Sequence, residues 1–128
     1  MRQKILFDTC TWIDFLRNKE GLIGDFLASA IEKDQAVLCG VIITELLQGA
    51  KGRKEQQQLN FIFENIESLR IEESNWLDAG ETLQSLRTKG ITLPLTDALI
   101  ASVSKKHKVP IFTMDKYFQY LDVELIND

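Results

Sequence analysis

Four carboxylates stand where short apolar segments end or where an apolar helix would otherwise run unbroken. Asp8 closes KILF, Asp115 follows IFTM, Glu45 lies within VIITELL, and Asp97 lies within LTDALIASV. Thr9, Thr44 and Thr113 accompany them. Carboxylates gathered without a cation repel, and one of them is forced to take a proton. A hard divalent ion with oxygen ligands, Mg²⁺ or Mn²⁺, relieves that repulsion. Such an ion can activate water and stabilise the charge of a phosphodiester transition state. Each acid also has a structural role open to it. Asp8 could close an Asx turn, Thr96 or Asp97 could cap a helix, Glu45 could be a solvated helix residue, and Asp115 could sit in a turn. Taken singly the structural roles are favoured; the four acids with their threonines favour a metal site.

Other chemistries fit less well. His107 is the sole histidine, which excludes a ribonuclease mechanism built on two of them. In the run KKHK it is expected to face solvent, with its lysines favourably placed at a helix end. Cys10 and Cys39 have no CxxC spacing and read as reduced thiols of a cytoplasmic protein, each a small packing residue. A phosphatase of the haloacid-dehalogenase type needs a second aspartate where Cys10 stands, and the acidic pair and lysine of a receiver domain are missing at the matching places. The formal net charge is −4, from 19 acidic and 15 basic residues, which argues against a passive binder of nucleic acid. Setting the four acids aside as a metal site leaves acids and bases in equal number. An acidic chain is then compatible with a phosphate substrate, and Lys51, Arg53 and Lys54 become candidate phosphate contacts. The rival is a binding module that holds RNA or a protein without cutting, but a polyanion binder gains nothing from a bare acidic pocket.

These side chains must be positioned by a chain of 128 residues, one domain's worth of sequence spanning 1–128. Hydrophobic periodicity predicts strands over Lys4–Phe7, Ala36–Cys39 and the segment IFT. Helices are predicted over Thr11–Arg17, Leu22–Glu32, Val41–Gln48 after a break at Gly40, Arg53–Ile66, Asn75–Lys89 and Thr96–His107. A short extended piece (SLRIE), a short helix after Asp115 and the tail VELI complete the chain. Short strands, apolar on both faces and alternating with helices, predict an α/β domain with a parallel sheet covered on both sides. Ligands of such sheets bind beyond the carboxyl ends of the strands, where Asp8 and Asp115 fall. On the Asp97 helix, Leu95, Leu99 and Val103 share one side, while Ala101 and Ser104 share the side of Asp97. Trp12, Phe15, Phe61 and Phe63 read as core. The faces carrying Trp12 and Phe61 could alternatively meet a partner. The three apolar residues before Asp8 fall short of a signal peptide's roughly 7–15, and no run is long enough to span a bilayer.

The segments ILFDTCTWIDFL, IITELLQGA, LTDALIASVSKKH and IFTMDKYF, in this order, resemble the motifs of the PIN-domain ribonucleases, in particular the VapC-type toxins of bacterial toxin–antitoxin pairs. The resemblance spans essentially the whole chain, including Gly80 and Gly90. It implies a three-layer α/β/α domain with a short parallel central sheet that hydrolyses RNA with Mg²⁺ or Mn²⁺. The products would carry 5′-phosphate and 3′-hydroxyl ends, because water rather than the ribose 2′-hydroxyl attacks. Asp8 and Asp97 match the main metal ligands, Glu45 and Asp115 complete the site, and Thr113 matches a supporting hydroxyl. A cognate antitoxin protein and a homodimer are implied as partners. Many relatives carry a further acid two residues after the last aspartate, where this chain has Tyr117.

Overall fold

The computed structural model describes residues 3–17 and 21–126. Four short strands, β1 (Ile5–Phe7), β2 (Ala36–Cys39), β3 (Ser68–Leu69) and β4 (Ile111–Phe112), form one sheet in the order β3-β2-β1-β4. Every pairing is parallel, with Leu6 opposite Val37 on one side and Ile111 on the other. All residues of β1, β2 and β4 are buried. That is why these strands are uniformly apolar rather than alternating. Beyond β4, Leu125 of the tail bridges Ile111, so VELI extends the sheet edge.

Among the described residues, six helices flank the sheet: α1 (Thr9–Arg17), α2 (Leu22–Glu32), α3 (Gly40–Gln48), α4 (Gly52–Asn65), α5 (Glu73–Thr88) and α6 (Leu95–His107). The connections from β1 to β2 and from β2 to β3 step the same way along the sheet, and the connection from β3 to β4 returns past β1. Right-handed crossovers therefore put α1–α4 on one face and α5–α6 on the other. The packing agrees: α1 lies against α2 and α3, α3 against α4, and α5 against α6. The result is the three-layer α/β/α arrangement.

The core under the first layer is aromatic. Phe7 and Phe112 meet across neighbouring strands at 5.6 Å between ring centroids, and Phe26 of α2 meets both, at 5.5 and 5.0 Å. Trp12 is fully buried and its indole N–H donates to the Phe7 carbonyl at 3.1 Å, which pins α1 to the end of β1. On the other face, buried Asn75 joins α5 to α6. Its amide N–H donates to Ser102 Oγ at 3.0 Å, while its Oδ1 accepts the Glu72 backbone N–H at 2.8 Å in a capping box.

The helix boundaries depart from the pattern-based ones by a residue or two, with clear causes. Gly40 opens α3 instead of breaking the chain before it, because strand β2 passes directly into the helix with Cys39 as the extended N-cap. The strand predicted over IFT stops at Phe112, since Thr113 turns its hydroxyl into side-chain contacts. Gly90 ends the α5 segment with φ near 82°, a left-handed position that favours glycine. Among the described residues, no helix is long and apolar enough to cross a membrane.

The Asn75 connection predicts its own energetic signature. Asn75→Ala strands the Ser102 hydroxyl and uncaps Glu72, so stability should fall by about 2 kcal/mol. Urea unfolding should show a lower midpoint with an unchanged slope.

Candidate active site

The site is built from chain segments that leave the sheet at one end. Asp8 follows the last residue of β1, and its backbone N–H still pairs with the Phe112 carbonyl at 3.2 Å. Its carboxylate is buried and turned back onto α1. Oδ1 accepts the Thr11 backbone N–H at 3.2 Å, the Thr11 hydroxyl at 2.9 Å and the Cys10 thiol at 2.9 Å. Asp8 therefore caps α1, through the bond from cap residue to third helical residue that caps commonly make. Its other oxygen, Oδ2, accepts from the Thr113 hydroxyl. Thr113 Oγ1 in turn accepts the Asp115 backbone N–H at 2.9 Å, and Asp115 Oδ1 accepts the Tyr117 N–H at 2.9 Å. Asp115 thus caps the short 3-10 helix Lys116–Tyr120. The structural roles open to Asp8 and Asp115 are real, and both residues also line a shared cleft.

Glu45 projects from α3, and its Oε1 accepts the Thr9 hydroxyl at 2.5 Å. Asp97 sits in the first turn of α6. Pro94 occupies the cap position and makes no side-chain bond, so neither Thr96 nor Asp97 is the cap. Asp97 is only 8% exposed, and its Oδ2 has no hydrogen-bond partner. Contact between α3 and α6 brings these two acids to one side of the site.

Asp8, Glu45, Asp97 and Asp115 line one cleft of about 380 Å³, together with Thr9 and Cys10. Burial is the first reason that Asp97 takes up a proton readily, and the carboxylates of Asp115, Asp8 and Glu45 are the next; its pKa rises to about 7. The Cys10 thiol, desolvated and beside Asp8, is pushed up to about 12 and stays protonated at neutral pH. Among the described residues no group of three or more acidic, histidine or cysteine side chains is drawn closely enough to hold an ion as it stands. The acids share a cleft rather than a finished coordination shell. That arrangement suits Mg²⁺, which keeps several waters and takes one or two carboxylates directly. The unpartnered Asp97 oxygen and the all-oxygen set of acidic donors fit such an ion.

The model of the PIN domain family matches residues 5–124. The chain belongs to that family. No curated protein matches it. Among solved structures, the PIN domain described here is similar to VapBC2 from Rickettsia felis, bound to a DNA fragment from its promoter, at 16% identity over 98% of each chain with a TM-score of 0.80. VapBC-1 from nontypeable Haemophilus influenzae matches at 18% identity over 98% of each chain, also with a TM-score of 0.80. VapC20 from Mycobacterium tuberculosis, a toxin that cleaves the sarcin–ricin loop, matches at 16% identity over 98% of this chain and 100% of its own, with a TM-score of 0.76. At these identities the likeness is one of fold.

Several side chains of this PIN domain, near the cleft and far from it, differ from the sequence-based expectation. Thr44 is exposed on α3 and stands apart from the cleft, because the neighbouring Glu45 takes the inward position. Leu95 is 52% exposed although Leu99 and Val103 on its side are buried, since the first turn of α6 projects past the core. Phe61 is 68% exposed and belongs to a surface rather than the core. His107 is half-buried, with Nε2 at 3.0 Å from the Arg70 carbonyl, and Lys105 and Lys106 pair with Asp78 and Glu72 of the α5 segment. Thr11 and Cys10 were not anticipated as partners of Asp8. The three-residue spacing from Asp8 to Thr11 is the signal that could have found the first of them.

The crowding makes a prediction for the metal-free protein. A carboxyl that holds its proton more tightly when folded contributes stability below its unfolded pKa and loses it as pH rises through the folded value. Metal-free protein should therefore become less stable between about pH 4 and pH 7 through Asp97. In thermal unfolding, Asp97→Asn should flatten that decline and raise the midpoint at pH 7.5 by a few degrees. A variant with the same pH slope as the parent would show that Asp97 is not the crowded group.

Proposed function

We propose that the chain is a divalent-metal-dependent endoribonuclease, the toxin of a bacterial type II toxin–antitoxin pair acting in the cytoplasm. The observation that carries this reading is the convergence of four carboxylates from separate elements on one cleft, with a buried Asp97 oxygen lacking any partner. Membership of the PIN domain family supports nuclease chemistry, and similarity to VapBC complexes supports an antitoxin partner.

In this reading Asp8 and Asp97 are the principal ligands of Mg²⁺ or Mn²⁺, and Glu45 and Asp115 complete the site directly or through water. An ion held there would supply charge neutralisation at the phosphate and a more acidic water, the two requirements of phosphodiester hydrolysis at neutral pH. The chain's own contribution is to orient the acids. Thr9 holds Glu45, and Thr113 links Asp8 to the backbone of Asp115. Lys51, Arg53 and Lys54 are exposed where α3 passes into α4 and offer phosphate contacts that offset the acidic cleft.

The antitoxin has a fitting surface. A largely apolar groove of about 490 Å³ runs between α1, α2 and α4, lined by Phe15, Leu16, Ile31, Phe61, Ile62 and Ile66 among others. The exposed ring of Phe61 borders it, as expected of a face that meets an amphipathic segment. A basic side chain carried by that partner would satisfy the acidic cleft and silence the enzyme, and a homodimer is the expected state of the toxin itself.

Purified chain, freed of antitoxin, should cut total cellular RNA into discrete fragments with Mg²⁺ or Mn²⁺ and leave it intact with EDTA. Asp97→Asn should lower cleavage at least about a hundredfold while remaining folded. Folded, metal-loaded protein that binds RNA but never cuts it would instead favour the non-catalytic binding module.

A further inference from the structure

The two principal acids are held very differently, and the difference has a chemical consequence. Asp97 Oδ2 has no partner at all. Asp8 Oδ1, by contrast, receives three donors, from Cys10 Sγ, the Thr11 backbone N–H and Thr11 Oγ1. A carboxylate oxygen has two lone pairs in its plane, so these donors occupy Oδ1 completely. Asp8 Oδ2 accepts from the Thr113 hydroxyl, which leaves one lone pair of the whole carboxylate for an ion. The side chain chiefly responsible is Thr11. It is fully buried, it reaches Oδ1 through its hydroxyl, and no nucleic acid or cation in the cleft need touch it.

We propose that Thr11, assisted by Cys10, restricts Asp8 to a single ion-facing oxygen and so sets the site's preference for small octahedral cations over calcium. The inference rests on the metal-dependent reading given above. Mg²⁺ and Mn²⁺ accept single carboxylate oxygens and retain water, whereas Ca²⁺ gains from carboxylates that bind through both oxygens and from higher ligand numbers. Hydrogen bonds to ligating carboxylates commonly tune metal affinity by one to two orders of magnitude. Thr11 is thus a positioning residue that acts through Asp8. Without its hydroxyl, Oδ1 is held only by the Cys10 thiol, a weak donor, and by a 3.2 Å backbone bond, so the carboxylate turns more easily toward the ion and can chelate.

The test measures dissociation constants of the full-length, antitoxin-free chain for Mn²⁺ and for Ca²⁺ by calorimetry. The variants are Thr11→Val, Thr11→Ser and Cys10→Ala. Thr11→Val keeps the volume of the side chain and loses the donor. It should weaken Mn²⁺ binding about 10–100-fold and Ca²⁺ binding much less, so that the ratio between them falls. Thr11→Ser restores the donor and should retain the parent ratio. Cys10→Ala removes the third donor from a half-buried position and should move the ratio the same way by a smaller factor, which keeps the test open if Thr11→Val does not fold. Loosening of the fold alone would weaken both ions together. Folded variants with an unchanged ratio would therefore overturn the inference while leaving the metal site in place. A parent chain that binds neither ion would overturn the metal-dependent reading, and this inference with it.

Discussion

The structure depends on holding four like charges near one another in a partly buried place. Asp8, Glu45, Asp97 and Asp115 cannot all stay ionised there without help, and the site shows two kinds of response. Asp8 and Glu45 are steadied by hydroxyl donors, from Thr11, Thr113 and Thr9. Asp97 lacks such a donor on its buried oxygen and instead holds a proton up to about pH 7. A cleft arranged this way is at its least favourable when empty and ionised, and a hard cation restores the balance.

The fold serves that constraint. The sheet order places β1 beside β4, so the segments after their carboxyl ends carry Asp8 and Asp115 into the same neighbourhood, joined through Thr113. Strand β2 runs straight into α3, which delivers Glu45, while the contact of α3 with α6 delivers Asp97 from the opposite layer. The strands are only two to four residues long, so little in the sheet itself resists carboxylate repulsion. Rigidity comes from beneath: the Phe7, Phe26 and Phe112 cluster, the Trp12 bond to Phe7, and the Asn75 junction on the other face.

Much of this could be read from residue order. The alternation of short apolar strands with amphipathic helices was visible, as were the four acids, because each interrupts an otherwise apolar run. The bounds of α2 and β2 follow directly from that pattern. Less legible were features set by tertiary contact. Leu95 and Phe61 carry the apolar signal of core residues yet lie exposed, since periodicity reports which side chains share a face and not what that face meets. Asp8 and Asp115 proved to be caps and cleft residues at once, which a choice between the two roles would have missed. The third donor on Asp8 Oδ1 is Cys10, whose thiol has no sequence signature as a donor.

The cleft's carboxylates are crowded enough to hold a proton, and a bound cation should displace it. Titration of metal-free protein with Mn²⁺ at pH 6, in buffers of different ionisation enthalpy, counts the protons released on binding. About one proton should be released at pH 6, falling toward none by pH 8.5 as Asp97 ionises on its own. Binding without proton release at pH 6 would contradict it.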